Sequence, residues 1–124
     1  MKSIQSNIKK AKKYLDNNHC VAVPTETVYG LAANAYSNSA VKKIFRLKKR
    51  PLNNPLIVHY YSIHRLKEDC DLNDKLMKLY KKFSPGPITY ILKLKNNSKI
   101  SKYVTNSKKV LLYVFLNINY LEIY

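Results

Sequence analysis

The sequence predicts an α/β fold in one domain, and three observations carry that reading. Amphipathic stretches with apolar residues three and four apart alternate along the chain with short apolar or alternating runs. The 124 residues suit one domain, and 46% of them are hydrophobic, enough for a core. No internal repeat or low-complexity tract interrupts the pattern.

Taken in order, residues 3–17 read as a helix: Ile4, Ile8, Ala11 and Leu15 fall on one face and Ser3 can cap the start. Asn17 and Asn18 end it, and HCVAV (19–23) reads as a short buried strand. PTETVYGLA (24–32) leaves that strand as a loop and is expected to enter a short helix near Val28 to Ala33, with Thr25 or Thr27 as its cap. The next helix lies in SNSAVKKIFRLKKRP, with Val41, Ile44, Phe45 and Lys48 on one face; Pro51 stops it at or before Arg50. NPLIVHYY is a second strand, with Pro55 at its start. A polar helical segment leads to the amphipathic NDKLMKLYKKF (73–83), facing inward through Leu76, Leu79, Tyr80 and Phe83. SPGP is a turn, and ITYILKLK (88–95) is a strand with Ile88, Tyr90, Leu92 and Leu94 on one face and Thr89, Ile91 and Lys93 on the other.

The net charge is +16, from 23 basic and 7 acidic residues. Such an excess suits a polyanionic partner, such as nucleic acid or nucleotide phosphates. A bias toward Lys, Asn, Ile and Tyr, all with A/T-rich codons, accounts for the charge equally well. Cys20 and Cys70 lack CxxC spacing and do not make a zinc site. The N-terminus lacks the apolar core of a signal peptide, and the longest apolar run, Val110 to Leu116, falls far short of the roughly 20 residues of a membrane helix. A cytoplasmic protein with reduced thiols and no membrane partner is the expectation.

Three polar clusters stand beside strands, where open α/β sheets place ligands. In KKRPLNNPLIVH, Lys48 and Arg50 would point about 200° apart on a regular helix, but an extended Arg50 before Pro51 lets them converge. A lysine point charge beside an arginine fork suits phosphates. Asn54 can donate and accept, and His59 leaves the strand. Taken alone, the cluster is more readily a solvated helix end and a satisfied strand histidine. In SPGPIT and the strand it opens, Thr89 and Lys93 share a face, which by itself is ordinary alternation. In PTETVYG, Thr25 and Thr27 can be caps and Glu26 a helix-dipole residue. There is no P-loop, nucleophile triad, carboxylate pair or metal cluster, so no catalytic residue and no metal ligand is assigned.

Together, PTETVYGLAANA, KKRPLNNPLIVH and SPGPITYIL resemble, in order and spacing, the Sua5/YrdC/YciO family, the threonylcarbamoyl-AMP synthases, over residues 4–105. The resemblance implies a YrdC-like open twisted mixed sheet with flanking helices, around a positively charged cavity. It implies a nucleotidyltransferase that combines L-threonine, bicarbonate and ATP into threonylcarbamoyl-AMP and pyrophosphate. Separate transferase proteins then pass the threonylcarbamoyl group to adenosine 37 of tRNA. By the same resemblance Thr27 and His59 bind L-threonine, and Lys48, Arg50, Asn54 and Thr89 bind ATP. Lys93 is a weaker candidate on the same strand face. Mg²⁺ would bridge the phosphates of ATP rather than sit in a protein cage. The family cavity also suits tRNA or double-stranded RNA.

The pattern then departs from the family. Strand and loop motifs like VAVRxPxHP and SANxSG are missing, and KKVLLYVFLNINYLEIY stands instead. The expected division is therefore 1–105 as the N-terminal part of a YrdC-like domain and 106–124 as an atypical tail, frameshifted or truncated near 105–110. The sheet would be incomplete at the C-terminus, and synthase activity reduced. A basic RNA-binding module and a non-functional fragment of the synthase are the competing readings.

Overall fold

The computed structural model describes residues 2–24, 29–60, 62–83 and 88–115. Helix α1 (Lys2–Asp16) leads into a hairpin of β1 (Val21–Pro24) and β2 (Tyr29–Ala32). Then come α2 (Asn38–Lys48), β3 (Ile57–Tyr60), α3 (Ile63–Asp69), α4 (Asp74–Phe83), β4 (Thr89–Lys93) and β5 (Val110–Phe115).

The local signals explain most boundaries. Asn18 takes the left-handed conformation (φ 63°) that stops α1, and the His19 N–H returns to the Tyr14 carbonyl. Ser37 caps α2 by accepting from the Ala40 N–H, Ser62 caps α3 through the Arg65 N–H, and Asn73 accepts from the Leu76 N–H at the start of α4.

One expected element takes another form. Tyr29 to Ala32 is a strand, not part of a short helix, and it pairs antiparallel with β1, Val23 opposite Gly30 and Pro24 opposite Tyr29. Once residues 21–24 are extended, YGLA closes a ladder of four residue pairs that a single helical turn could not offset, since a helix nucleus fixes several residues for one bond. β1 itself is half-exposed, alternating partly buried and exposed residues, rather than buried.

The second sheet is mixed and open, ordered β3-β5-β4. β5 runs parallel to β3 and antiparallel to β4. Its sequence, VLLYVF, comes from the apolar text beyond residue 105 and lies at the centre of the three strands. A continuous apolar run without alternation is what an interior strand commonly shows.

One face of this sheet meets the core. Val58, Tyr60 and Tyr90 pack there with Val41 and Phe45 of α2, Leu66, Cys70, Leu76 and Val104. The segment between β4 and β5 closes the core's edge: Ser101 donates from its backbone to Ala35 and from its hydroxyl to Asn38, and Val104 accepts from the Leu56 N–H. On α4, Leu76 is buried while Leu79 and Phe83, expected to face inward, stay exposed. No helix among the described residues is long and apolar enough to cross a membrane.

Candidate functional site

Three of the expected site residues, His59, Thr89 and Lys93, lie on the other face of the mixed sheet. Along β3, Val58 and Tyr60 are buried while Ile57 and His59 are exposed; along β4, Tyr90 is buried while Thr89, Ile91 and Lys93 are exposed. The period of two thus sorts every predicted strand residue onto one side. Register then brings them together. His59 and Thr89 both pair with Val114 of β5, from opposite edges, so they occupy one row across the sheet. Ile57 and Ile91 form the next row, both opposite Leu112. Lys93 lies opposite Val110, one row further. Members of a row two strands apart are separated by about 10 Å, and successive rows by about 7 Å.

This face carries more apolar surface than a solvated one needs. Ile91 is 67% exposed and Ile57 46% exposed, in the row directly beside His59 and Thr89. An apolar floor edged by a histidine, a threonine and a lysine is a common composition for a ligand site.

The basic cluster is arranged by the end of α2. Lys49 is left-handed (φ 49°), and the Lys49 and Arg50 N–H groups return to the Arg46 and Phe45 carbonyls. The Lys48 side chain is exposed at the last position of α2. Arg50 does not simply converge with it. Its Nε donates to the Asn54 carbonyl at 3.2 Å and its Nη2 to the Pro55 carbonyl at 2.6 Å. Asn54 is exposed at the loop's tip, and its N–H donates to Pro51. The structure therefore joins Arg50 to Asn54 directly, and His59 to Thr89 by register. Thr27, with Thr25 and Glu26, lies outside the described residues; its hairpin is defined by Pro24 and Tyr29 on either side. Gly30 pairs with Val23 without needing a positive φ.

A second polar cluster escaped the sequence reading. Asp69 is buried at the end of α3 and its carboxylate accepts from the Tyr36 and Tyr60 hydroxyls, each at 2.7 Å, and from Ser98 at 3.1 Å. Burial, and then the hydrogen bond to Asp69, push both tyrosine pKa values well above the usual phenol range. Beside it is a solvent-open groove of about 540 Å³ lined by Tyr36, Arg65, Glu68, Asp69, Lys95, Asn97 and Lys99. None of the predicted site residues lines it. No spacing signal could have found this cluster, because its members are 9 to 33 residues from Asp69 in sequence. Among the described residues no group of His, Cys, Asp and Glu side chains could hold a metal ion.

Comparison with known proteins gives a consistent picture. The family model Sua5_yciO_yrdC, described as telomere recombination, matches residues 13–111. A protein of Bacillus subtilis named threonylcarbamoyl-AMP synthase is 48% identical over 89 residues, covering 71% of this chain and 26% of that protein. One of the same name from Pyrococcus abyssi is 44% identical over 86 residues, covering 68% of this chain and 25% of that protein. The crystal structure of P. abyssi Sua5 complexed with L-threonine superposes with a TM-score of 0.82 at 36% identity, over 87% of this chain and 32% of that one. The chain thus spans about a quarter to a third of the length of these relatives.

Proposed function

The chain belongs to the Sua5/YciO/YrdC family, and from that premise we propose that it serves the synthesis of threonylcarbamoyl-AMP from L-threonine, bicarbonate and ATP. The observation that carries the reading is the shared row of His59 and Thr89 on the open sheet face. A threonine ligand and a nucleotide ligand about 10 Å apart suit the two ends of one threonylcarbamoyl adenylate. Relatives named for that product, and one solved with L-threonine, support the assignment.

In this reading Thr27 and His59 hold L-threonine, and Lys48, Arg50, Asn54 and Thr89 hold ATP, with Lys93 as a further cation at the edge. The carbamate formed from threonine and bicarbonate places an oxygen on the α-phosphorus, and pyrophosphate leaves. Negative charge grows on phosphate oxygens during that displacement. Fixed cations and donors therefore supply the catalysis, and no strong general base is required. Mg²⁺ enters with the phosphates of ATP, as part of the substrate. The product's threonylcarbamoyl group goes to tRNA through separate transferase proteins, in the cytoplasm, and the basic surface offers RNA phosphates a contact.

Isothermal calorimetry with ATP, with and without L-threonine, tests the assignment. The expected result is ATP binding that L-threonine and bicarbonate strengthen, with pyrophosphate released only when all three are present. Absence of ATP binding by the folded chain overturns it.

A further inference from the structure

Arg50 is one of the expected phosphate ligands, yet its guanidinium is committed elsewhere. The Arg50 N–H donates to the Phe45 carbonyl at 2.9 Å, so the helix end fixes its backbone. From that fixed point the side chain reaches forward to two consecutive carbonyls, those of Asn54 and Pro55. Nε–H and the adjacent Nη2–H form one edge of the planar fork, and that edge is filled. The loop it spans begins and ends in proline, and neither residue has an N–H to donate. Its own backbone bond is Asn54 N–H to Pro51, at 3.1 Å.

We propose that Arg50 is a positioning residue: its guanidinium closes the Pro51–Pro55 loop and so sets the place of Asn54, whether or not a nucleotide is present. Lysine cannot replace it, since an ammonium group has charge but no planar fork to grip two carbonyls at once. The closing of the loop stands on geometry alone. The consequence for ATP, that Arg50 acts through Asn54, rests on the nucleotide-binding reading above.

Hydrogen exchange by NMR on the 124-residue chain, without nucleotide, tests the closure. In Arg50→Lys and Arg50→Ala the Asn54 amide is expected to lose about tenfold or more in protection, while the Val104 amide, bonded to Ser101, keeps its own. Added guanidinium ion restores protection in Arg50→Ala. Unchanged protection of Asn54 in both variants overturns the proposal. Should the variants fail to fold, the wild-type chain decides. The Arg50 Nε–H is expected to exchange at least about tenfold more slowly than that of exposed Arg46. Equal exchange rates contradict the closure.

ATP affinities of Arg50→Ala, Asn54→Ala and the double variant complete the test. Losses that do not add support action through Asn54, and additive losses overturn it. A wild-type chain that binds no ATP counts against the proposed function, and the exchange data alone then decide the loop.

Discussion

The two faces of the β3-β5-β4 sheet are built to different rules. Toward the core, Val58, Tyr60 and Tyr90 are buried against α2 and α3, and the Tyr60 hydroxyl ends on Asp69. Away from it, Ile57, His59, Thr89, Ile91 and Lys93 are all exposed. The same two strands supply both sets, one residue apart. The core face satisfies its polar groups and hides its apolar ones. The open face instead leaves two isoleucines exposed beside a histidine and a threonine. Accessible apolar and polar groups side by side are a common composition for a ligand site, which is the reading proposed above.

The largest effect that would sharpen this contrast belongs to the core side. Leu66 is fully buried, and Leu66→Ala is expected to cost about 3 kcal/mol in urea unfolding. Asp69→Ala leaves the buried Tyr60 hydroxyl and its two companions without their acceptor, for a similar loss of about 3 kcal/mol. A loss near zero in both would show that the core face does not hold the fold.

Next is the C-terminal end of α2. Lys48→Ala is expected to weaken ATP at least about tenfold while leaving the unfolding midpoint in place, as removal of a charged contact implies. A shift in stability without a change in affinity would make Lys48 a structural residue.

A smaller effect appears at alkaline pH. The raised pKa values of Tyr36 and Tyr60 favour the neutral phenols of the fold. Their contribution is complete below the unfolded value of about 10 and is lost as pH rises from there toward the folded values. Stability of the wild-type chain should therefore fall above that pH, and Tyr60→Phe should flatten the fall. A profile identical in the variant would separate Tyr60 from it.

The smallest effect is on the open face itself. Ile91→Thr is expected to change stability by less than about 0.5 kcal/mol, since the side chain is mostly exposed. A loss of several times that would mean the face is covered by packing and is not a site.

Much of this was legible before the structure. The alternation in ITYILKLK put Thr89, Ile91 and Lys93 on one side, and the side they occupy is the exposed one. Pro51 marked the end of α2 correctly because prolines act locally. Tyr29 to Ala32 was misread because its ladder with β1 is a tertiary choice that a short apolar stretch does not announce. The row shared by His59 and Thr89 depends on β5, whose unpunctuated VLLYVF carries no register signal of its own. The grip of Arg50 on two carbonyls was equally hidden, since it depends on the turn made by a left-handed Lys49.

The central claim is that ligand binds the open face. Chemical-shift mapping of the 124-residue chain with ATP and L-threonine tests it most directly. Shifts are predicted to concentrate on Asn54, His59, Thr89, Ile91 and Lys93, with Val58 and Tyr90 nearly still. Shifts centred instead on Tyr36, Asn97 and Lys99 would move the site to the Asp69 groove and contradict the account.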